Sequence, residues 1–361
     1  MLDQVLSAFG FRNNNNIMAY GNGLINRTWL VSSEKGDFIL QRVNDDVFSD
    51  PFIIAGNIES IGAWLEEHRP DAVFPRPLRS ITGESLLYLE DKGYYRIYPF
   101  IKNSTTTDVV DTTGQAYEAA RKFGEFTHIL SGFPASRLGE TIPDFHNLSL
   151  RYRAFREALQ KGNPQRIANA APLIDYLESA SDIVSEYERI TSDPDFRRRV
   201  THHDTKISNV LFDSQWKGLC VIDLDTVMPG YFISDVGDML RTYLSPVTEE
   251  ESDLSKVMVR HTYFEAIVEG YLEEMRDELT PREKDAFVYA GEFMMYMQSL
   301  RFLTDHLNDD IYYGSRYEGH NYIRASNQAT LLQRFREQSP LLKAIADKAG
   351  TRVIFSPQPG D

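Results

Sequence analysis

The chain has 361 residues, enough for two lobes around a large buried core, and its 42% hydrophobic and 25% charged residues are the balance of an ordinary soluble protein. A net charge of −15 argues against nucleic acid or an anionic membrane surface as partner. No apolar run approaches the roughly 20 residues of a membrane span, no basic stretch precedes an apolar run at the N-terminus, and the single cysteine, Cys220, allows neither an internal disulfide nor a cysteine metal cluster, so a reduced, cytoplasmic setting is expected.

In chain order, Met18–Tyr20, Thr28–Ser32 and Phe38–Val43 are strand candidates, the last two joined by a turn at Glu34-Lys35-Gly36-Asp37. A helix follows, with Asp50 as N-cap, Pro51 at its first position, and Ile54, Ile58, Ile61 and Leu65 as its apolar stripe. Leu78–Thr82, Ser85–Glu90 and Tyr94–Ile101 then read as further strands. Together they predict a compact α+β lobe with one inserted helix. From about residue 112 helical patterns dominate: Tyr117, Ala120, Phe123, Thr127 and Leu130 share a face, Ile174, Tyr176 and Leu177 open another stretch, and Thr280-Pro281-Arg282-Glu283 is a helix start. The acidic runs Glu249-Glu250-Glu251 and Glu273-Glu274 read as solvated faces. The exception to the helical pattern is 200–225, where short β-like runs flank polar loops.

That exception carries the chemistry. Thr201-His202-His203-Asp204-Thr205-Lys206-Ile207-Ser208-Asn209 is followed by Val221-Ile222-Asp223-Leu224-Asp225. An aspartate on a tight loop can accept a proton from an attacking hydroxyl, and an amide oxygen five positions on can bind a metal. A carboxylate after the next strand can complete the site, since magnesium takes few protein oxygens and the rest from phosphates and water. The order is that of a kinase catalytic loop, H-x-D-x-x-x-x-N with a downstream metal aspartate, and Lys206 has the spacing of the lysine in such loops. Asp204 and Lys206 are therefore the catalytic candidates, and Asn209 and Asp223 the metal candidates. Asp235 is expected to cap the following helix or anchor this loop.

Upstream, Tyr20-Gly21-Asn22-Gly23-Leu24-Ile25-Asn26 lies between two strand candidates, where two glycines let backbone N–H groups approach phosphates. On the third strand Gln41 stands where a kinase places a lysine, with Glu59 on the helix that follows. Either Gln41 hydrogen-bonds the nucleotide or Glu59 without a charge, or Arg42 substitutes; strand alternation points Arg42 to the opposite face and favours Gln41. The candidate nucleotide contacts are Gly21, Gly23, Asn26, Gln41, Glu59, Tyr98, Phe100 and Ile101.

These residues resemble the aminoglycoside phosphotransferase and choline kinase superfamily and, within it, the N-acetylhexosamine 1-kinases. The resemblance runs nearly end to end, through Ile39-Leu40-Gln41, Glu140-Thr141-Ile142-x-x-Phe145-His146, Ile222-Asp223-Leu224-Asp225-Thr226-x-Met228-Pro229-Gly230, Arg301-Phe302-Leu303-x-Asp305 and Asp310-Ile311-Tyr312. It implies a bilobal, protein-kinase-like α+β fold: an antiparallel-sheet nucleotide lobe with one helix (1–101) and a larger, mainly helical catalytic and substrate lobe (102–361). It implies ATP-dependent, magnesium-dependent phosphorylation of the anomeric hydroxyl of N-acetylglucosamine or N-acetylgalactosamine, in amino-sugar salvage. Asp204 would be the base, Asn209 and Asp223 would hold magnesium, and Arg301 and Tyr312 would hold the sugar. Such relatives carry a histidine where this chain has Leu24, which leaves the choice among hexosamines open. The alternatives are a kinase of an aminoglycoside, choline or homoserine, or an inactive kinase-like binding protein. Oligomeric state is not read from the sequence.

Overall fold

The computed structural model of the chain describes residues 2–12, 15–21 and 25–351. Five strands, β1 (Asn16–Ala19), β2 (Arg27–Ser33), β3 (Gly36–Val43), β4 (Leu87–Leu89) and β5 (Gly93–Pro99), form one antiparallel sheet in the order β1-β2-β3-β5-β4. The β2–β3 hairpin turns where expected, with Gly36 at φ 114°. One sheet face packs Val31, Leu40, Tyr95 and Ile97 against Val5, Leu6, Phe9 and Phe11, of which Val5 and Leu6 lie on the short helix α1 (Leu2–Ala8). The period-2 alternation therefore turns Thr28, Gln41, Arg96 and Tyr98 to the other face, with Thr28↔Gln41 and Gln41↔Arg96 directly opposed.

One expectation in this half is corrected. Leu78–Thr82 is not a strand: Pro75 and Pro77 interrupt its approach, and Ser80 N–H closes a turn onto Glu84 O (2.8 Å). α1 had no expectation. The inserted helix α2 (Pro51–His68) is as read, with Asp50 accepting from Phe52 N–H (3.0 Å) and Ile54, Ile58, Ile61 and Leu65 buried.

Beyond the sheet the chain is mainly helical. α3 (Thr113–Ile129) starts at a capping box of Thr112 and Gln115, and Thr280 and Glu283 form a second one. Among these helices lie the short strands β6 (Arg199–Thr201), β7 (Val210–Phe212), β8 (Gly218–Val221) and β9 (Met228–Gly230), pairing β6–β9 and β7–β8. The helix Phe232–Tyr243 runs beneath them. It packs on the helix Phe287–Leu307 at Gly237, where an added Cβ would lie 2.3 Å from Ala290 O, so this contact requires glycine. Glu249 is not on a solvated face: it pairs with Arg241 (2.6 Å) and with Arg324. Glu274 likewise pairs with Arg121 (3.2 Å). No helix among the described residues is long and apolar enough to cross a membrane.

Candidate active site

The segment after β6 is fixed from below. Asp235, on the helix Phe232–Tyr243, accepts from His202 N–H (2.9 Å) and His203 N–H (2.7 Å). One turn on, Asp238 accepts from Thr205 N–H (2.8 Å) and is paired with Arg241 (2.9 Å). Two carboxylates spaced at helical intervals thus bind successive backbone donors of the loop, and Asp235 anchors it as expected. His202 donates from Nε2 to Ile222 O (2.9 Å) and accepts at Nδ1 from Asp204 N–H (3.3 Å), joining the loop to the segment that carries Asp223. Two non-glycine residues here adopt left-handed backbone, His203 (φ 66°) and Asp223 (φ 58°), a strain found where side chains must be aimed.

Asp204, Lys206, Asn209 and Asp223 are brought together. Lys206 Nζ lies 3.1 Å from Asp204 Oδ1, and that charge holds the ammonium above its usual pKa. Asn209 donates from Nδ2 to Asp204 O (2.8 Å), which leaves its Oδ1 without a protein partner among the described residues. Asp223 lies at the open side of the cleft, where partial burial of its carboxylate, then the charges of Asp225 and Asp204, raise its pKa above the usual carboxylate range against the pull of Arg96 and Lys206. A free amide oxygen beside crowded carboxylates fits a hard divalent cation, with Asn209 and Asp223 as its protein ligands. Among the described residues no group of three or more His, Cys, Asp or Glu side chains could hold a metal ion.

Asp225 faces the sheet. It is buried, accepts from Asn26 Nδ2 (2.7 Å), and forms an ion pair with Arg96 Nη1 (2.5 Å). Arg96 also donates from Nε to Gln41 Oε1 (3.0 Å), and its guanidinium lies 5.3 Å from the Tyr98 ring centre. Gln41 therefore meets a cation from the neighbouring strand, not Glu59. Glu59 pairs with Arg79 (3.2 Å) away from this network, and Arg42 packs on the opposite sheet face, against Gly93. Arg96 was missed in the sequence. The available signal was a lone charge inside Tyr94-Tyr95-Arg96-Ile97-Tyr98.

The remaining nucleotide candidates flank this network. Tyr98 lies on the cleft face, Phe100 donates its N–H to Asp37 O (3.0 Å) and Ile101 O accepts from Ser104 (2.6 Å). Gly21 takes φ 75° with open space around it. Gly23 and Leu24 lie outside the described residues.

On the other side Arg301 stacks 5.3 Å from the Phe145 ring centre and 5.5 Å from that of Tyr313, and donates to Gln298 (3.1 Å). Among the described residues it makes no ion pair: the acids considered for it are engaged elsewhere, Asp305 by Tyr312 N–H and Tyr313 N–H, Glu292 by Ser339. Tyr312 is 70% exposed and its ring meets that of Tyr313 edge-on. His146 stacks on Phe145 and reaches the catalytic loop, its Nδ1 3.2 Å from His203 Nδ1. Proton positions follow from the chain of contacts. Thr201 donates its hydroxyl proton to Met228 O (3.1 Å), so it accepts from His203 Nε2 (2.7 Å). Burial keeps His203 neutral, its pKa down to about 3, which leaves its Nδ1 bare. His146 must then donate from Nδ1. Burial, with the charge of Arg301 nearby, keeps it neutral as well, so its Nε2 is an acceptor, unpartnered among the described residues.

A model of the phosphotransferase enzyme family matches residues 16–277. Among solved structures the chain is similar to a microcompartment-associated aminopropanol kinase, with 17% identity, a TM-score of 0.64, and coverage of 97% of this chain and 98% of that one. It is also similar to an aminoglycoside phosphotransferase from Alicyclobacillus acidocaldarius (13% identity, TM-score 0.60, coverage 96% and 94%) and to a choline kinase from Cryptosporidium parvum (16%, 0.55, 94% and 94%). These likenesses show the fold, the bilobal protein-kinase-like α+β arrangement expected from the sequence. With the family match spanning the sheet, the catalytic loop and the helix that anchors it, the chain belongs to the phosphotransferase enzyme family.

Proposed function

We propose that the chain is a sugar 1-kinase that transfers the γ-phosphoryl group of ATP to the anomeric hydroxyl of an N-acetylhexosamine, N-acetylglucosamine or N-acetylgalactosamine. The observation that carries this reading is the pairing of Arg301, a cation with no acid partner among the described residues, with His146, a neutral acceptor fixed by its contact with His203. An N-acetyl group offers the complementary pair, a carbonyl for the guanidinium and an N–H for the imidazole. Choline and aminopropanol, acted on by kinases of similar fold, are cations. They would meet Arg301 and its neighbour Arg151 in like-charge contact, which selects against them.

In this reading residues 1–101 form the nucleotide lobe, and 102–361 carry catalysis and the acceptor. Asp204 accepts the proton of the attacking hydroxyl, and its bond network holds it in one geometry for in-line transfer. Lys206 pairs with that carboxylate and presents its ammonium to the transferring group. Asn209 and Asp223 hold magnesium, which when bound neutralises charge on the phosphate oxygens. Tyr312 stands beside Arg301's stacking partner, Tyr313, and closes the sugar's exposed side. The lone buried thiol, Cys220, suits a cytoplasmic setting.

The test is magnesium-dependent ATP turnover on a panel of N-acetylhexosamines, free hexosamines, choline, ethanolamine and aminopropanol, with the product read by phosphorus NMR. An anomeric phosphate, and no turnover of the methyl glycoside, is expected. Preference for an amino alcohol, phosphate at C6, or turnover of the blocked glycoside overturns the assignment.

A further inference from the structure

We infer that Arg96 supplies the cation for the nucleotide's phosphates, delivered from β5 in place of a lysine on β3, and that Asp225 anchors it across the cleft. This deepens the nucleotide half of the function proposed above and rests on it, whichever acceptor the enzyme uses.

Gln41 occupies the strand position of the kinase lysine and is neutral, while its direct cross-strand partner on the same face is Arg96. The two side chains touch, Nε to Oε1 at 3.0 Å, so the guanidinium occupies the neighbourhood that a lysine from β3 would have reached. Arg96 is 2% exposed. A cation so deeply removed from water requires partners, and a residue with a purely structural role has its donors satisfied. Here Nε donates to Gln41 and Nη1 is ion-paired with Asp225, whereas Nη2 makes no hydrogen bond with the described residues and keeps some access to solvent, open to a ligand.

Position supplies the direction. Asp225 is two residues from Asp223, the carboxylate assigned to the metal, and a metal held there would take its remaining ligands from phosphate oxygens. Arg96 is thus fixed beside the place where the phosphates' negative charge must be met. The other nearby cation, Lys206, pairs with Asp204 on the loop and is assigned above to the transferring group, so the remaining phosphates fall to Arg96. In a protein kinase the lysine is held by a glutamate of its own lobe. Here the anchoring acid comes from the opposite lobe, and Asn26 binds the same carboxylate. Seating the phosphate cation and joining the two lobes are therefore one arrangement.

The experiment measures binding of a non-hydrolysable ATP analogue with magnesium, and of adenosine, by calorimetry, which needs no acceptor. Arg96→Gln is expected to weaken the analogue by about ten- to a hundred-fold, the loss of a charge-assisted contact, and to leave adenosine within about two-fold of wild type. Because Arg96→Gln strands Asp225, the Arg96→Gln/Asp225→Asn double variant is measured beside it, with the same expectation in a fold that carries no unpaired charge. Introducing Gln41→Lys into the Arg96→Gln background is expected to recover at least half of the lost analogue affinity on a logarithmic scale. An unchanged ratio of analogue to adenosine affinity in the folded double variant overturns the inference, as does failure of Gln41→Lys to restore any analogue affinity. Wild-type protein that binds neither compound overturns the nucleotide reading and this inference with it, whereas failure of the sugar assignment alone leaves these measurements unaffected.

Discussion

Two segments flank Arg301 and His146, and they are held very differently. In 201–209, His202, His203 and Thr205 donate their N–H groups to Asp235 and Asp238, while the carbonyls of His202, Asp204 and Thr205 accept from Thr226, Asn209 and Tyr243. The loop after the helix Phe287–Leu307 is tied at Asp305, yet it leaves Ile311 84% and Tyr312 70% exposed. A base must sit within a fraction of an ångström of its proton, whereas a recognition surface must exchange with solvent each time a substrate enters. In the proposed function, this difference separates what performs the reaction from what selects the acceptor.

Breaking the first segment gives the largest effect. Asp204→Asn is expected to lower kcat by about a thousand-fold, the loss of a positioned general base, with the melting temperature and nucleotide affinity retained. Residual activity within ten-fold of wild type would move the base elsewhere. Changing the second segment's neighbour alters choice before rate. Arg301→Glu is expected to raise the KM for a neutral N-acetylhexosamine by about ten- to a hundred-fold and to improve turnover of choline or ethanolamine. An unchanged ranking of acceptors would remove Arg301 from recognition.

The smallest effect lies at the joint between the two segments. Burial holds His203 at a folded pKa of about 3, below an unfolded value of about 6.5. Between these values the unfolded chain binds the extra proton, so this stabilising contribution is full above the unfolded value and is lost as pH falls. The stability gap between wild type and His203→Gln should therefore narrow by about 2 kcal/mol from pH 7 to pH 5, measured by urea unfolding. A constant gap would mean that His203 takes up a proton as readily in the folded as in the unfolded protein, and a widening gap that it is charged in the folded protein; either would remove His146 as the donor between the two rings.

That Asp204, Asn209 and Asp223 come together was legible because the signal is local: the three fall within 20 positions. α2 was legible from its cap and stripe. Arg96 was not, because its meaning depends on pairing with Gln41 across 55 positions and with Asp225 across the cleft. Glu249 resembled a surface charge for the same reason, since its partners Arg241 and Arg324 are brought in by two separate helices. Leu78–Thr82 carried strand-forming residues, but the prolines before it and the turn at Ser80 decided its shape.

The contact between Gln41 and Arg96 also restricts how this sequence can drift. A lysine introduced alone at position 41 would place an ammonium where a neutral amide now accepts from the guanidinium, two like charges at hydrogen-bond range in a buried site. Loss of Arg96 alone would strand Asp225 between Asn26 and nothing cationic. Each single step is unfavourable although the paired exchange is electrostatically balanced, so the two positions are coupled and neither is free to change first. Divergent copies of this enzyme should therefore carry one arrangement or the other, with few intermediates between them.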